Sequence, residues 1–262
     1  NLDTQLGYIS LNQRLQNDEI LSVAYQYTVG NEVYQVGEFA NDGVNATDSN
    51  VDPITGNQVI TNQSLVLKML KSAVTNVNLP TWDLMMKNIY NTGAYQLSQD
   101  DFRLNIFYNE TSALNFITPV SGTSFPTVTG NNDPIEETPL IRLFNFDRLN
   151  FNNDPQNKGD GFFDFVSNIT IDSRNGLVIF PSVEPFGKYL FDKLKSPNNS
   201  VENYDNFSTY NLNQQKFVYN EIYDSSKIEA EKESEKNKFE IKGSYKTSGD
   251  VGGIAIGQFN VP

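Results

Sequence analysis

The stretch ILSVAYQYTVGNEVYQVGEF, Ile20–Phe39, decides the fold class. Leu21, Val23, Tyr25, Tyr27 and Val29 alternate with Ser22, Ala24, Gln26 and Thr28. A period of two in β-branched and aromatic residues is that of a strand with one covered face. Gly30-Asn31 is a two-residue turn signal, and Val33–Phe39 returns as the second strand of a hairpin. The same alternation runs through DFRLNIFY (Asp101–Tyr108), FEIKGSY (Phe239–Tyr245) and GGIAIGQFNV (Gly252–Val261). In SLVLKMLKSAV (Ser64–Val74), Leu65, Leu67 and Met69 alternate, which assigns a strand although Leu, Lys and Met also form helices. Ala113–Thr118 and Pro139–Phe146 read as further strands, and NGLVIFP (Asn175–Pro181) as a buried strand closed by proline.

Helical spacing is rarer. LPTWDLMMKNIYNTG predicts a helix over 81–92, capped by Thr81, with Trp82, Met85, Met86, Ile89 and Tyr90 on one apolar face and Gly93 beyond its end. Such a Trp–Met face is read as core rather than as a ligand patch. Shorter helices are expected near 187–195 and 217–232, the latter continued by a Glu/Lys run that forms a solvated face. Asn41–Gln58, without periodicity, and the polar stretch from Asn198 to Gln215 are read as loops. Together these elements predict a mainly β, β-rich α+β fold, an antiparallel sheet or sandwich with few helices. Residues 1–262 are expected to form one segment, with a loose division near 120–138.

Composition removes whole classes of chemistry. The 262 residues include no cysteine and no histidine. Disulfides, thiol nucleophiles, cysteine-based zinc sites and histidine-dependent triads are therefore out, leaving carboxylate, lysine or tyrosine chemistry and oxygen-ligand metals. A net charge of −13 repels phosphate backbones, so no nucleic-acid partner is expected. No apolar run approaches the ~20 residues of a membrane-spanning helix. The chain opens on Asn1 without a signal-peptide pattern and closes in strand-like sequence, so a segment of a longer protein is expected.

One stretch invites a metal reading: FDRLNFNNDPQNKGDGFFDFV, Phe146–Val166. Hard cations need several closely spaced oxygen ligands and glycines that let the chain wrap the ion. Asn152, Asp154, Asn157, Asp160 and Asp164 supply the former, Gly159 and Gly161 the latter. Lys158 and Gln156 stand where a calcium loop would carry ligands, so the main reading is a long turn delivering Phe162, Phe163 and Phe165 to the core. Calcium at Asp154, Asp160 and Asp164 remains as the alternative. Asp48, Asn50 and Asp52 form a weaker pattern in which Pro53 replaces the glycine. The adjacent acids Asp100-Asp101 and Glu136-Glu137 read as solvated, because a glycosidase needs two carboxylates held across a cleft. No phosphate-binding, dinucleotide-binding or serine-elbow motif is present, and an enzyme is not expected.

Five longer phrases occur in order: LGYISLNQRLQNDEILSVAYQYTVGNEVYQVGEFANDG (6–43), LPTWDLMMKNIYNTGAYQL (79–97), FDRLNFNNDP with GDGFFDFV (146–155 and 159–166), GLVIFPSVEPFG (176–187) and EKNKFEIKGSYKTS (235–248). Together they resemble the SprA (Sov) family, giant outer-membrane proteins of the Bacteroidetes type IX secretion system and of gliding motility. The resemblance implies a role in a translocon: a very large single-chain barrel that passes folded cargo proteins. It also implies partners, namely the remainder of the barrel, the smaller barrel protein PorV at its side opening, a periplasmic plug protein and secreted cargo. It carries no catalytic residues and no cofactor. This chain would be a non-barrel part, expected as an extracellular insertion capping or gating the pore, with a periplasmic position as the alternative. Transmembrane barrel strands would show ~10-residue segments with a lipid-facing set, and the strands here are shorter and mixed. From the residues alone, a calcium-stabilised adhesion or carbohydrate-binding module is the competing expectation.

Overall fold

The computed structural model describes residues 2–3, 8–13, 15–16, 18–39, 47–62, 64–74, 76, 78–100, 102–126, 134–197, 199–218, 238–245 and 255–260. Among the described residues every strand pairing is antiparallel, and the strands divide among six small sheets, giving a β-rich α+β fold. Two compact units appear, residues 1–85 and residues 86–262, so both flanks of the stretch 120–138 belong to the second. Among the described residues, no helix is long and apolar enough to cross a membrane.

The first unit is built of two-stranded pieces. β1 (Leu2–Asp3) pairs with β2 (Tyr8–Ile9), and β3 (Leu21–Val23) with β8 (Lys68–Lys71) through a bulge at Leu21/Ser22. β4 (Tyr25–Val29) and β5 (Glu32–Val36) form the hairpin expected from the alternation, in register from Tyr25↔Val36 to Val29↔Glu32. Gly30, at φ 63°, supplies the turn conformation that side chains resist. Tyr27 stacks on its cross-strand partner Tyr34 at 5.3 Å. A second hairpin, β6 (Thr47–Val51) with β7 (Gln58–Asn62), overturns the loop expected over Asn41–Gln58. Its turn is ordered by Asp52, whose carboxylate accepts from Ile54 N and Thr55 Oγ1, so paired backbone makes a strand where side-chain periodicity is missing.

The helix expected over 81–92 is a correction. α1 is one turn, Pro80–Asp83, and Ile89–Asn91 is β9. Propensity loses to tertiary pairing here. Ile89, Tyr90 and Asn91 register against Ile179, Val178 and Leu177 of β13 (Leu177–Ile179). Asn88 accepts from Phe180 N at 2.8 Å and returns Nδ2 to Phe180 O.

In the second unit, β10 (Arg103–Asn109) lies between β11 (Ala113–Leu114) and β14 (Phe239–Tyr245), with β15 (Ala255–Asn260) beyond β14. Leu104, Ile106 and Tyr108 point inward from β10, as alternation requires. β12 (Ile171–Asp172), β13 and β9 form the three-stranded sheet. Pro139–Phe146, expected as a strand, instead holds α2 (Leu140–Leu143), started by Pro139, whose missing N–H costs nothing at a helix entry. α2 packs on β10 and buries Leu140, Ile141 and Leu143.

Helical turns expected near 187–195 are present: a π-type turn, Pro185–Tyr189, kinked at Gly187, runs into α3 (Leu190–Leu194). α4 (Leu212–Phe217) stops where the helix expected near 217–232 would begin, and almost all of that stretch lies outside the described residues. Asn211 and Gln214 cap α4 reciprocally inside the stretch read as loop, and the extended Val218 ends it. Residues 219–237 lie outside the described residues.

Phenylalanine packing joins these short elements. Phe102, Phe163, Phe146, Phe180, Phe186, Phe239, Tyr108 and Phe217 touch in sequence, with ring centroids 4.6–5.3 Å apart. Phe180, 1% exposed, also meets Tyr90 and Phe144. Phe180→Ala is expected to destabilise the chain by about 3–5 kcal/mol in denaturant titration, with near-UV dichroism losing its aromatic signal at lower denaturant.

Candidate functional site

The Asp/Asn/Gly stretch that invited a metal reading is organised by two buried aspartates, one near each end. α2 places Arg142 in its last turn, and Arg142 Nε and Nη2 both donate to Asp147 Oδ2 at 3.1 and 2.9 Å. Asp147 is fully buried, and its Oδ1 accepts from Asp160 N at 2.8 Å and Gly161 N at 3.1 Å. A dry carboxylate persists because a bidentate cation and two amides serve it. Gly159, at φ 61°, passes so close that a Cβ would stand 1.8 Å from Asp147 Oδ1. From the other end, Asp164 Oδ2 accepts from Arg148 N at 2.6 Å and Leu149 N at 3.2 Å, while Asp164 N donates to Phe146 O. Burial pushes the Asp164 carboxyl up, partly offset by the Arg148 and Leu149 amides.

Of the predicted ligands, Asp164 therefore serves backbone amides, Asp160 Oδ1 accepts from Phe162 N, and Asp154 is exposed in a turn ordered by Asn150. Among the described residues, no three acidic side chains converge as a metal site. The delivery of phenylalanines is partly corrected: Phe163 is buried and Phe165 half-buried, but Phe162 is 57% exposed, with Arg103 over its ring. In the weaker pattern, Asp52 orders its own turn, and Asp100 and Glu136 are exposed.

Sequence reasoning missed four polar centres. Asp147 went unnoticed because its role depends on Arg142 and on the folded-back Gly159; an Asp followed by a Gly-Asp-Gly return was the available signal. Glu202, 3% exposed, accepts from Ser196 N, Gln214 Nε2, Asn199 Nδ2 and Asn211 Nδ2, so neutral donors alone hold the loop before α4. Lys87 and Glu184 form a buried ion pair at 2.8 Å, with Tyr204 on the second carboxylate oxygen.

The fourth centre is cationic and includes Asn145, held at φ 63°. Arg148 Nε and Nη2 donate to Asn145 Oδ1, Asn145 Nδ2 donates to Tyr189 Oη at 2.9 Å, and Lys193 Nζ lies 5.5 Å over the Tyr189 ring. Burial, with Arg148 nearby, pulls the Lys193 ammonium below the usual lysine range. By contrast, the surface hollow lined by Asp192, Lys195, Ser196, Pro197, Asn199 and Ser200 carries one carboxylate, Asp192, paired to Lys188 at 2.7 Å.

No protein-family model matches the chain, and no curated protein matches it significantly.

Three outcomes test the site. Asp147→Ala strands Arg142 and two amides, so a loss of about 3–5 kcal/mol is expected in urea titration. Asp164 has a folded pKa above its ordinary 3.8, so the folded state holds its proton more tightly and ionisation costs stability as pH rises from there. The stability difference between Asp164→Asn and the parent chain is therefore expected to shift in favour of the variant from about pH 4 upward, levelling once Asp164 is ionised in both states. Because the aspartate oxygens serve amides, millimolar calcium is expected to leave the melting temperature unchanged.

Proposed function

We propose that this chain is a non-catalytic structural module of a type IX secretion outer-membrane translocon, capping or gating the protein-conducting pore and supporting cargo export and gliding. The observation that carries the reading is the order of the five SprA-like phrases along the chain. The fold lends it support in one respect. Four of those phrases meet in a single aromatic core: Tyr90 from the second, Phe146 and Phe163 from the third, Phe180 and Phe186 from the fourth, Phe239 from the fifth. Residues that carry the resemblance are thus framework residues, which suits a module whose task is shape.

The first phrase lies elsewhere, in the β4–β5 hairpin. Tyr25, Tyr27, Val29 and Tyr34 share one face and stay 41–60% exposed, an apolar surface of the kind a larger assembly covers. PorV, the plug protein and cargo are the proposed partners, and the cell surface the proposed location.

Deleting residues 1–262 from the intact protein is expected to abolish cargo secretion and spreading motility while the remaining barrel still reaches the outer membrane. Normal secretion and gliding in that strain would overturn the reading.

A further inference from the structure

We propose that Arg148 and Lys193, joined through the Asn145–Tyr189 pair, form a binding site for a compact oxyanion of carboxylate or phosphate type. Two cations are brought to one place by two different segments: Arg148 by the start of the Asp147–Asp164 loop, Lys193 by α3. Acids outnumber bases 32 to 19 in the chain, yet among the described residues no carboxylate lies within ion-pair distance of either. The nearest candidates are occupied. Asp192, next to Lys193, is paired with Lys188, and Asp164 serves the backbone amides of Arg148 and Leu149.

The surrounding contacts fix the donors without satisfying them. Asn145 Oδ1 takes one edge of the guanidinium at 3.1 and 2.7 Å, which orients its plane and leaves the other edge free to grip two oxygens of one group. Tyr189 gives Lys193 a ring face, an attraction that holds an ammonium but accepts none of its hydrogen bonds. Tyr189 itself is anchored, its hydroxyl donating to Leu143 O and accepting from Asn145. Two local irregularities create the arrangement: the left-handed Asn145 directly after α2, and the π-type turn ending at Tyr189. Both side chains are half-buried, so the repulsion of Lys193 by Arg148 is screened less than on an open surface. A bound anion would relieve that repulsion, which adds to burial in lowering the Lys193 ammonium.

The test uses the 262-residue chain with 13C-dimethylated lysines, followed by NMR at constant ionic strength. Sodium acetate and inorganic phosphate are titrated separately against sodium chloride. A saturable shift confined to Lys193, with its pKa rising as anion binds, is the expected result, and Arg148→Gln is expected to weaken it about tenfold or more. Arg148→Lys, which keeps the charge and loses the fork, checks that the loss does not come from misfolding, and near-UV dichroism checks the fold of both variants. Stronger saturation by acetate assigns the site to a carboxylate, such as an acidic side chain of a bound polypeptide; stronger saturation by phosphate assigns it to a phosphoryl group. A Lys193 response no different from that to chloride, or one unchanged in Arg148→Gln, overturns the proposal.

Discussion

Edge-to-face packing of phenylalanines drawn from distant segments is the constraint on which the second unit depends. Among the described residues its strands run to two, three, six or seven residues and its helices to three to six, lengths at which neither hydrogen bonding nor propensity sustains an element alone. Several short elements nonetheless carry a ring into the run from Phe102 to Phe217: β10 gives Tyr108, β14 Phe239, α4 Phe217 and the π-type turn Phe186. T-shaped and tilted ring pairs have preferred geometries, so the run fixes orientation as well as burying area. Irregular backbone is tolerable where the rings on either side of it are fixed. Asn145 takes its left-handed conformation between Phe144 and Phe146, both 1% exposed or less.

The polar counterpart is a set of buried carboxylates, each used as a backbone or amide acceptor. Asp147, Asp164 and Glu202 gather N–H groups of loops that have no ladder to join. Buried amides must find acceptors, and one carboxylate can serve several at once. This explains how an acidic chain with long non-repetitive stretches holds them in place. Acidic residues that look like metal ligands in sequence take the place of missing secondary structure.

What sequence made legible follows from where the signal lives. β4, β5, β10 and β14 were readable because alternation is local and their β-branched and aromatic residues prefer extended backbone, and β13 because a short apolar run ends at Pro181. Trp82, Met85, Ile89 and Tyr90 have helical spacing by coincidence: Ile89 and Tyr90 are claimed by β13, some ninety residues later. The β6–β7 hairpin hid for the opposite reason, since Thr47–Val51 is polar and its evidence is main-chain pairing. In Leu140–Leu143, four residues with two leucines, an isoleucine and an arginine do not distinguish one helical turn from a strand. As for the candidate site, its residues were visible as a cluster of Asp, Asn and Gly. Their roles were not, because Asp147 acts on amides thirteen and fourteen positions away. Lys193 is tied to Asn145 through the ring of Tyr189, a link between residues 48 positions apart.

The pairing of β10 with β14 has a consequence for the order in which the chain can become stable. Asn109 and Glu240 meet across 131 residues, and the sheet they build carries Ile106 and Ile241, both fully buried. Closing so long an interval costs entropy before any contact repays it. A chain that emerges from its amino end must therefore hold the β14-facing edge of β10, whose Leu104, Ile106 and Tyr108 point inward, unpaired until Phe239–Tyr245 has also emerged, its other edge meeting only the two residues of β11. During that interval β10 is a bare strand edge, open to pairing with the wrong neighbour. Vectorial delivery thus makes this unit a late-maturing one, complete only once β14 has paired with β10.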